Sequence, residues 1–288
     1  MFDGQKAFTV EPFQTSLLKW IGNKQRVAHE IAAHFPRDFR LYREPFLGSA
    51  AVLATLAPTE AAGSDSFKPL IEIWRTLKSD PETVKKWYAT RWRMMHDGDR
   101  VEQYERIKAS YNANPNGADL LFLCRACYGG VVRFRQADGH MSTPCGIHNP
   151  IPPHSFEKRV DEWYRRLAGA QFALMEYEES MERARTGDLI YCDPPYSDSQ
   201  AILYGAQSFD LAKLLRVIGR CKERGVHVAL SIDGTKRSGT FTVSLPVPQG
   251  LFKREVFIHC GRSMLRRFQM NGQSLESEVV YDRLLLTY

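Results

Sequence analysis

The tetrapeptide Asp193-Pro194-Pro195-Tyr196 follows directly on an apolar run, Leu189-Ile190-Tyr191-Cys192. Consecutive prolines fix φ and remove two backbone donors, so the Asp193 carboxylate and the Pro194 carbonyl become rigid acceptors. Two converging acceptors suit an amino group. The Tyr196 ring adds a face on which a planar base can stack, as in enzymes that extrude a nucleotide from its helix. For this tetrapeptide taken alone, a Pro-Pro turn that merely closes a strand is the competing reading.

Two further clusters lie upstream. Glu44-Pro45-Phe46-Leu47-Gly48-Ser49-Ala50 runs from an extended segment into a helix through small residues, which permit close backbone approach to a ligand. Asp65, seventeen positions after Gly48, can present a carboxylate to ribose hydroxyls from the end of a second strand. Lys19-Trp20-Ile21-Gly22-Asn23-Lys24 places two lysines around an indole. In isolation a ligand-free loop-to-helix turn is the commoner reading of the cluster at 44–50, and a surface turn before the helix at 27–33 explains the cluster at 19–24 equally well.

The elements that must position these residues can be read from pattern. Extended segments are expected at 41–46, up to Asp65, at 171–175, 188–192, 226–232, 255–260 and 279–286. Helices are expected at 27–33, from Gly48, from Asp80 continuously to about Asn112, at 120–128, 156–167, up to Met181, and at 209–224. Asp80-Pro81-Glu82 is a helix start, with a capping aspartate, proline at N1 and an acid in the first turn. Residues 131–155 read as loop. Strand and helix alternate in two blocks around a mostly helical insert, which predicts an α/β domain with a parallel sheet interrupted by a second domain. In an open sheet of that kind ligands bind beyond the carboxyl ends of the strands, which is where Asp193 falls.

The insert is also where the charge lies. The 288-residue chain has a formal charge of +6, and between Arg75 and Arg135 twelve Lys or Arg stand against seven Asp or Glu. Trp87, Tyr88, Trp92, Tyr104, Tyr111, Tyr128 and Phe134 are interleaved with them. Cations that neutralise phosphates, with rings that stack, suit a nucleic acid; a solvated helix face over its own core aromatics is the alternative.

These features, in this order, resemble the Dam-like, D12-class family of AdoMet-dependent adenine-N6 DNA methyltransferases. The resemblance covers most of the chain: KWIGNK, EPFLGSAAV, Asp65, a helical insert and LIYCDPPY. Within the insert, Tyr128-Gly129-Gly130-Val131-Val132-Arg133-Phe134 and Pro144-Cys145-Gly146 are similar to the family's YNGxxRYN and VPFG stretches. It implies a Rossmann-like methyltransferase sheet at 1–75 and 160–288, with a target-recognition domain at 76–159. It also implies S-adenosyl-L-methionine (AdoMet) as cofactor, and methyl transfer to the exocyclic amine of a flipped adenine in double-stranded DNA. Asp193, Pro194, Pro195 and Tyr196 would form the catalytic core. Trp20, Lys24, Glu44, Pro45, Phe46, Gly48, Ser49, Asp65, Glu176 and Asp193 would line the cofactor site, although Glu176 serves equally as a helix cap. Lys19, Tyr128, Arg133, Arg135 and Pro144 would contact DNA, the Arg133 fork fitting guanine O6 and N7. Dam-like members make a short site beginning with G, such as GATC, the default target. Ala50 replaces the second glycine of the family's FxGxG, a mild change; Gly129 and Arg135 stand where asparagines are common.

An RNA adenine or protein amide methyltransferase shares the same amine-gripping device, and a non-catalytic DNA-binding protein of this fold is a third reading. The basic aromatic insert favours DNA over protein, and the complete acidic tetrapeptide argues for catalysis. No metal is implied: His140, His148 and His154 lack ligand spacing, and Cys124 and Cys127 lie in an apolar run with no second pair. The six cysteines read as reduced thiols, and no stretch is long and apolar enough to span a bilayer. The first residues show no secretory signal, so a cytoplasmic chain is expected, as monomer or homodimer.

Overall fold

The computed structural model describes residues 8–195, 209–236, 241–242, 247–262 and 279–288. Eight strands form one sheet: β1 (Tyr42–Glu44), β2 (Ala61–Asp65), β3 (Ala170–Leu174), β4 (Leu189–Cys192), β5 (His227–Lys236), β6 (Phe241–Thr242), β7 (Arg254–Arg262) and β8 (Val279–Leu286). Their order is β3-β2-β1-β4-β5-β8-β7, with β6 paired to β5 beside this path. From β3 through β5 all pairings are parallel. The expectation of a parallel sheet is corrected at the other end, where β8 runs antiparallel to both β5 and β7. Buried strands of either direction read as apolar runs, so periodicity carries no information on direction.

Alternation along the central strands divides the apolar residues between two cores. Leu189 and Tyr191 of β4, Ala229 of β5, and Leu284 and Leu286 of β8 join the larger one. Ile190, Cys192, Val228, Leu230 and Leu285 join the smaller. This is the period of two expected for strands covered on both faces. Helices α1 (Ala28–Ala32), α2 (Ala51–Leu56) and α3 (Lys68–Ser79) contribute to the larger core, and α8 (Tyr177–Glu182) and α9 (Leu211–Glu223) to the smaller.

The helical insert leaves the sheet after α3 and returns at β3. It comprises α4 (Pro81–His96), α5 (Arg100–Ala113), α6 (Gly117–Ala126) and α7 (Pro153–Arg166). The single helix expected from Asp80 to about Asn112 is two helices. Asp80 caps α4 by accepting from the Thr83 N–H, and Asp99 starts α5 by accepting from the Glu102 N–H, so a second capping aspartate and Gly98 at φ +125° divide the run. Tyr88, Tyr104, Tyr111, Phe122, Phe156 and Trp163 of the insert are buried in the same core as Trp74 of α3. The expected boundary between residues 159 and 160 falls inside α7.

Most of the interleaved rings are therefore internal, and several of the cations are paired with acids. Among the seven rings only Tyr128 is a large exposed one; Tyr88, Tyr104, Tyr111 and Phe134 are core, and Trp87 and Trp92 pack against it. Arg91 pairs with Asp119, Lys85 with Glu82 and Asp161, Arg106 with Glu102, and Lys108 with Glu105. Arg125 is buried and donates to the Leu17 carbonyl at 2.8 Å. Cys124 and Cys127 are buried too, and burial raises their thiols to about 11 and about 12.

Candidate active site

The chain leaves β1 outward to β2 and β3 and comes back to β4, which lies on the other side of β1. At such a switch point the connections after β1 and β4 part in opposite directions and leave a crevice beyond their carboxyl ends. A cavity of about 420 Å³ occupies it. Nine of the expected site residues line it: Trp20, Lys24, Glu44, Phe46, Gly48, Ser49, Asp65, Glu176 and Asp193. Pro195 lines it as well, whereas Pro45 and Pro194 are buried and do not. Tyr196 lies outside the described residues.

Backbone bonds pin the small-residue turn. The Gly48 N–H donates to Asp65 Oδ2 at 3.1 Å, and its carbonyl accepts from Trp74 Nε1 at 3.1 Å. Gly48 has φ +47°, and a Cβ there would touch the Trp20 indole at 3.5 Å. Ala50 has φ +53°, in the left-handed region that costs an L side chain roughly 1–2 kcal/mol. The substitution of alanine for the family's second glycine is thus strained rather than mild, because the backbone retains the conformation that glycine would adopt freely. Asp65 also accepts from the Phe67 N–H at 3.0 Å. Burial raises its carboxyl above the usual range, and these amide donors oppose the rise.

Acidic groups predominate on the walls. The Glu44 carboxyl accepts from the Tyr42 hydroxyl at 2.5 Å, and burial pushes it up from 4.5 to about 8, against the pull of Tyr42 and the Leu53 N–H. Glu44 is then mainly neutral at pH 7. Its native state prefers the proton, so this contribution to stability is full below about 4.5 and is lost as pH rises through about 8. The slope is about 1.4 kcal/mol per pH unit inside that window. Urea unfolding between pH 5 and 8.5 should show wild type losing stability relative to Glu44→Gln; parallel curves for the two proteins would contradict the assignment.

Asp193 does not stand alone at the end of β4. Its Oδ1 is 3.1 Å from Lys24 Nζ, which also lies 3.0 Å from Asp282 Oδ2 on β8. Glu176 precedes α8 but makes no side-chain cap bond there, so the capping alternative is not the one observed, and its side chain faces the cavity. Sequence reasoning missed an aromatic corner. Phe46 stacks on Tyr177 at 5.0 Å, and Phe209 meets Phe46 edge-on at 6.0 Å. Tyr177 sits in the first turn of α8 and Phe209 just before α9, positions marked only by their place after strands.

The five residues expected at DNA are all exposed and adjoin one another. The Lys19 stem packs on Gly130, whose φ is +68° and where a Cβ would meet Lys19 Cδ at 2.8 Å. The Tyr128 N–H donates to the Pro144 carbonyl at 2.9 Å. The Arg133 N–H donates to Thr143 Oγ1 at 2.9 Å, and the Arg135 N–H to the His140 carbonyl at 2.9 Å. The Arg135 guanidinium is tied to Asp138 through Nε at 3.0 Å. This surface abuts the crevice: Trp20, next to Lys19, lines the cavity, and Phe67, also lining it, contacts Phe134 edge-on at 5.5 Å.

The sheet order and the crevice at its switch point define a Rossmann-like α/β fold. Residues 20–247 match the family model described as D12 class N6 adenine-specific DNA methyltransferase. The chain belongs to that family, whose members transfer a methyl group to DNA adenine from an AdoMet-type donor. It is 30% identical over 190 residues to the Retron Ec67 DNA adenine methylase of Escherichia coli, covering 63% of this chain and 64% of that protein. With a DNA adenine methylase of Vibrio cholerae it shares 26% over 238 residues, 77% of this chain and 82% of the other. With the type II methyltransferase M1.LlaDCHI of Lactococcus lactis subsp. cremoris it shares 25% over 234 residues, 74% and 79% of the two chains. No helix among the described residues is long and apolar enough to cross a membrane.

Proposed function

We propose that this chain methylates N6 of adenine in double-stranded DNA, binding AdoMet in the crevice and receiving a flipped base between the crevice and the loop at 128–146. The observation that carries the reading is the placement of Asp193 at the carboxyl end of β4, lining a cavity that adjoins the exposed Lys19, Tyr128 and Arg133.

The cavity fits AdoMet by its chemistry. Its volume lies within the ordinary range for small-molecule sites. Asp65, Glu176 and Asp193 against Lys24, with Glu44 a neutral acceptor beside them, suit a ligand bearing a sulfonium and an ammonium. Asp65 would hold the ribose diol, the Phe46 ring backed by Tyr177 would pack on the purine, and Trp20 and Glu176 would close the remaining sides. When bound, AdoMet supplies an electrophilic methyl carbon.

The amine of adenine is a weak nucleophile because its lone pair is delocalised into the ring. Asp193 and the Pro194 carbonyl would accept its two N–H bonds, localise that pair on nitrogen and stabilise the positive charge that develops there. AdoMet would supply the methyl group and leave as the thioether, and Asp193 and the Pro194 carbonyl would hold the amine until its surplus proton passes to solvent. Positioning does the rest, with no covalent nucleophile. The cysteines have no part in this, and burial holds Cys192 protonated far above its ordinary value.

Segment 76–159 would serve as the recognition unit, with Arg133 reading a base, Tyr128 inserting at the stack, and Lys19 and Pro144 fixing the register. Arg135 must leave Asp138 to contact DNA. The expected site of action is the cytoplasm, where the chromosome of a bacterial or phage-infected cell lies. Arg133→Ala should lower discrimination between the preferred site and a single mismatch by about 1–3 kcal/mol, or roughly 5- to 150-fold, with AdoMet affinity unchanged. Methylation-sensitive sequencing of DNA from cells making either protein measures this; an identical set of modified sites would remove Arg133 from base reading. The same experiment tests the function itself, since DNA with no new N6-methyladenine would refute it.

A further inference from the structure

Asp282 has no counterpart among the motifs at 19–24, 44–50, 65 or 193–196, yet it contacts Lys24, which lines the crevice. It lies on β8 between β5 and β7, on the face that carries Leu284 and Leu286 into the larger core. Both neighbouring pairings are irregular beside it: the register shifts between Asp233 and Thr235 on β5 and between His259 and Gly261 on β7. Such bulges bend the strands and re-aim side chains, and they gather next to active sites. Asp282 is buried and within 3.0 Å of Lys24 Nζ. Lys24 is only 8% exposed in its side chain, and its other carboxylate partner, at 3.1 Å, is Asp193.

The charges in this triad have a direct consequence. A lone Lys24–Asp193 pair would be neutral, and an ammonium at 3.1 Å would oppose positive charge developing on an amine held by Asp193. A second carboxylate at Lys24 offsets that ammonium charge. Lys24, paired with both carboxylates, holds Asp193 in one orientation.

We propose that Asp282 is a positioning residue for methyl transfer, acting through Lys24 to orient Asp193 and to offset the ammonium charge beside the acceptor site. This rests on the reading of Asp193 as the amine acceptor.

The test uses the full chain, tritiated AdoMet and unmethylated plasmid DNA, with AdoMet affinity followed separately by calorimetry. Asp282→Asn, nearly isosteric, should lower kcat by about ten- to a hundredfold while KM and Kd for AdoMet change less than about twofold. Asp282→Glu should recover most of the loss. In a Lys24→Gln background, Asp282→Asn should change kcat by less than about twofold, because the route through the ammonium is already gone. Wild-type kcat in Asp282→Asn, loss of AdoMet binding by that variant, or an equal loss with and without Lys24 would each overturn the proposal. Asp193→Ala is run alongside: if it turns over normally, the acceptor reading itself fails, whereas an inactive Asp193→Ala beside an unimpaired Asp282→Asn removes only the role of Asp282.

Discussion

Replacing Asp193 with alanine is expected to lower methyl transfer to DNA adenine by about a thousandfold while the protein stays folded and still binds AdoMet. The size follows from removing the charged acceptor that acts on the reacting nitrogen, where a single preorganised group contributes most. The tolerance of the fold follows from the neighbouring charges. Lys24 loses one partner but keeps Asp282 at 3.0 Å, so no buried ammonium is left without a carboxylate. Asp193→Asn should fall between the two, because its amide oxygen still accepts whereas its NH2 opposes the substrate's own donors. Label transfer from tritiated AdoMet, with a thermal melt of each protein, decides the matter. Turnover at the wild-type rate by Asp193→Ala would end the assignment.

Trp163→Ala should cost about 3–5 kcal/mol of stability, the largest effect expected of any single core truncation here. Trp163 is fully buried on α7, stacked on Trp74 of α3 at 5.3 Å, tilted against Phe13 at 5.4 Å, and its indole donates to the Thr15 carbonyl at 2.7 Å. One side chain thus joins the insert, the helix beside the sheet and the N-terminal segment. Urea unfolding should show one cooperative transition shifted to lower denaturant, with far-UV and tryptophan signals moving together. A shift worth less than about 1 kcal/mol, or separate transitions for insert and sheet, would contradict this account of the packing.

Much of the site was legible because its chemistry sits where strands end. Asp193, Asp65 and Glu44 each close an apolar or small-residue run, and strand ends are where an open sheet presents ligands. The turn at Gly48 and the loop around Tyr128 were legible through resemblance, since small residues by themselves mark many turns. Other parts were hidden by distance along the chain. Tyr177 and Phe209 meet Phe46 only because α8 and α9 return to one crevice. Asp282 had one usable signal: it shares its parity with Leu284 and Leu286, which places a charge on the buried face of a strand. The aromatic residues of the insert were misleading for a physical reason that the sequence does contain. Tyr104, Ile107 and Tyr111 follow i, i+3, i+7 spacing, the stripe of a helix facing a core, and α5 buries just those three. Lys85, Arg106 and Lys108 are likewise paired with acids three or four positions away on their own helices, so they add little net charge to the surface.

The arrangement of β8 bears on how the protein is made. Position 282 follows position 193 by 89 residues, and its strand slots between two others that the ribosome has already released. A nascent polypeptide can therefore complete the strands that end in Glu44, Asp65 and Cys192 before the carboxylate at 282 is made. Premature termination upstream of β8 would leave β5 and β7 unjoined and strip Leu284 and Leu286 from the larger core, so a truncated product is expected to be cleared rather than to persist.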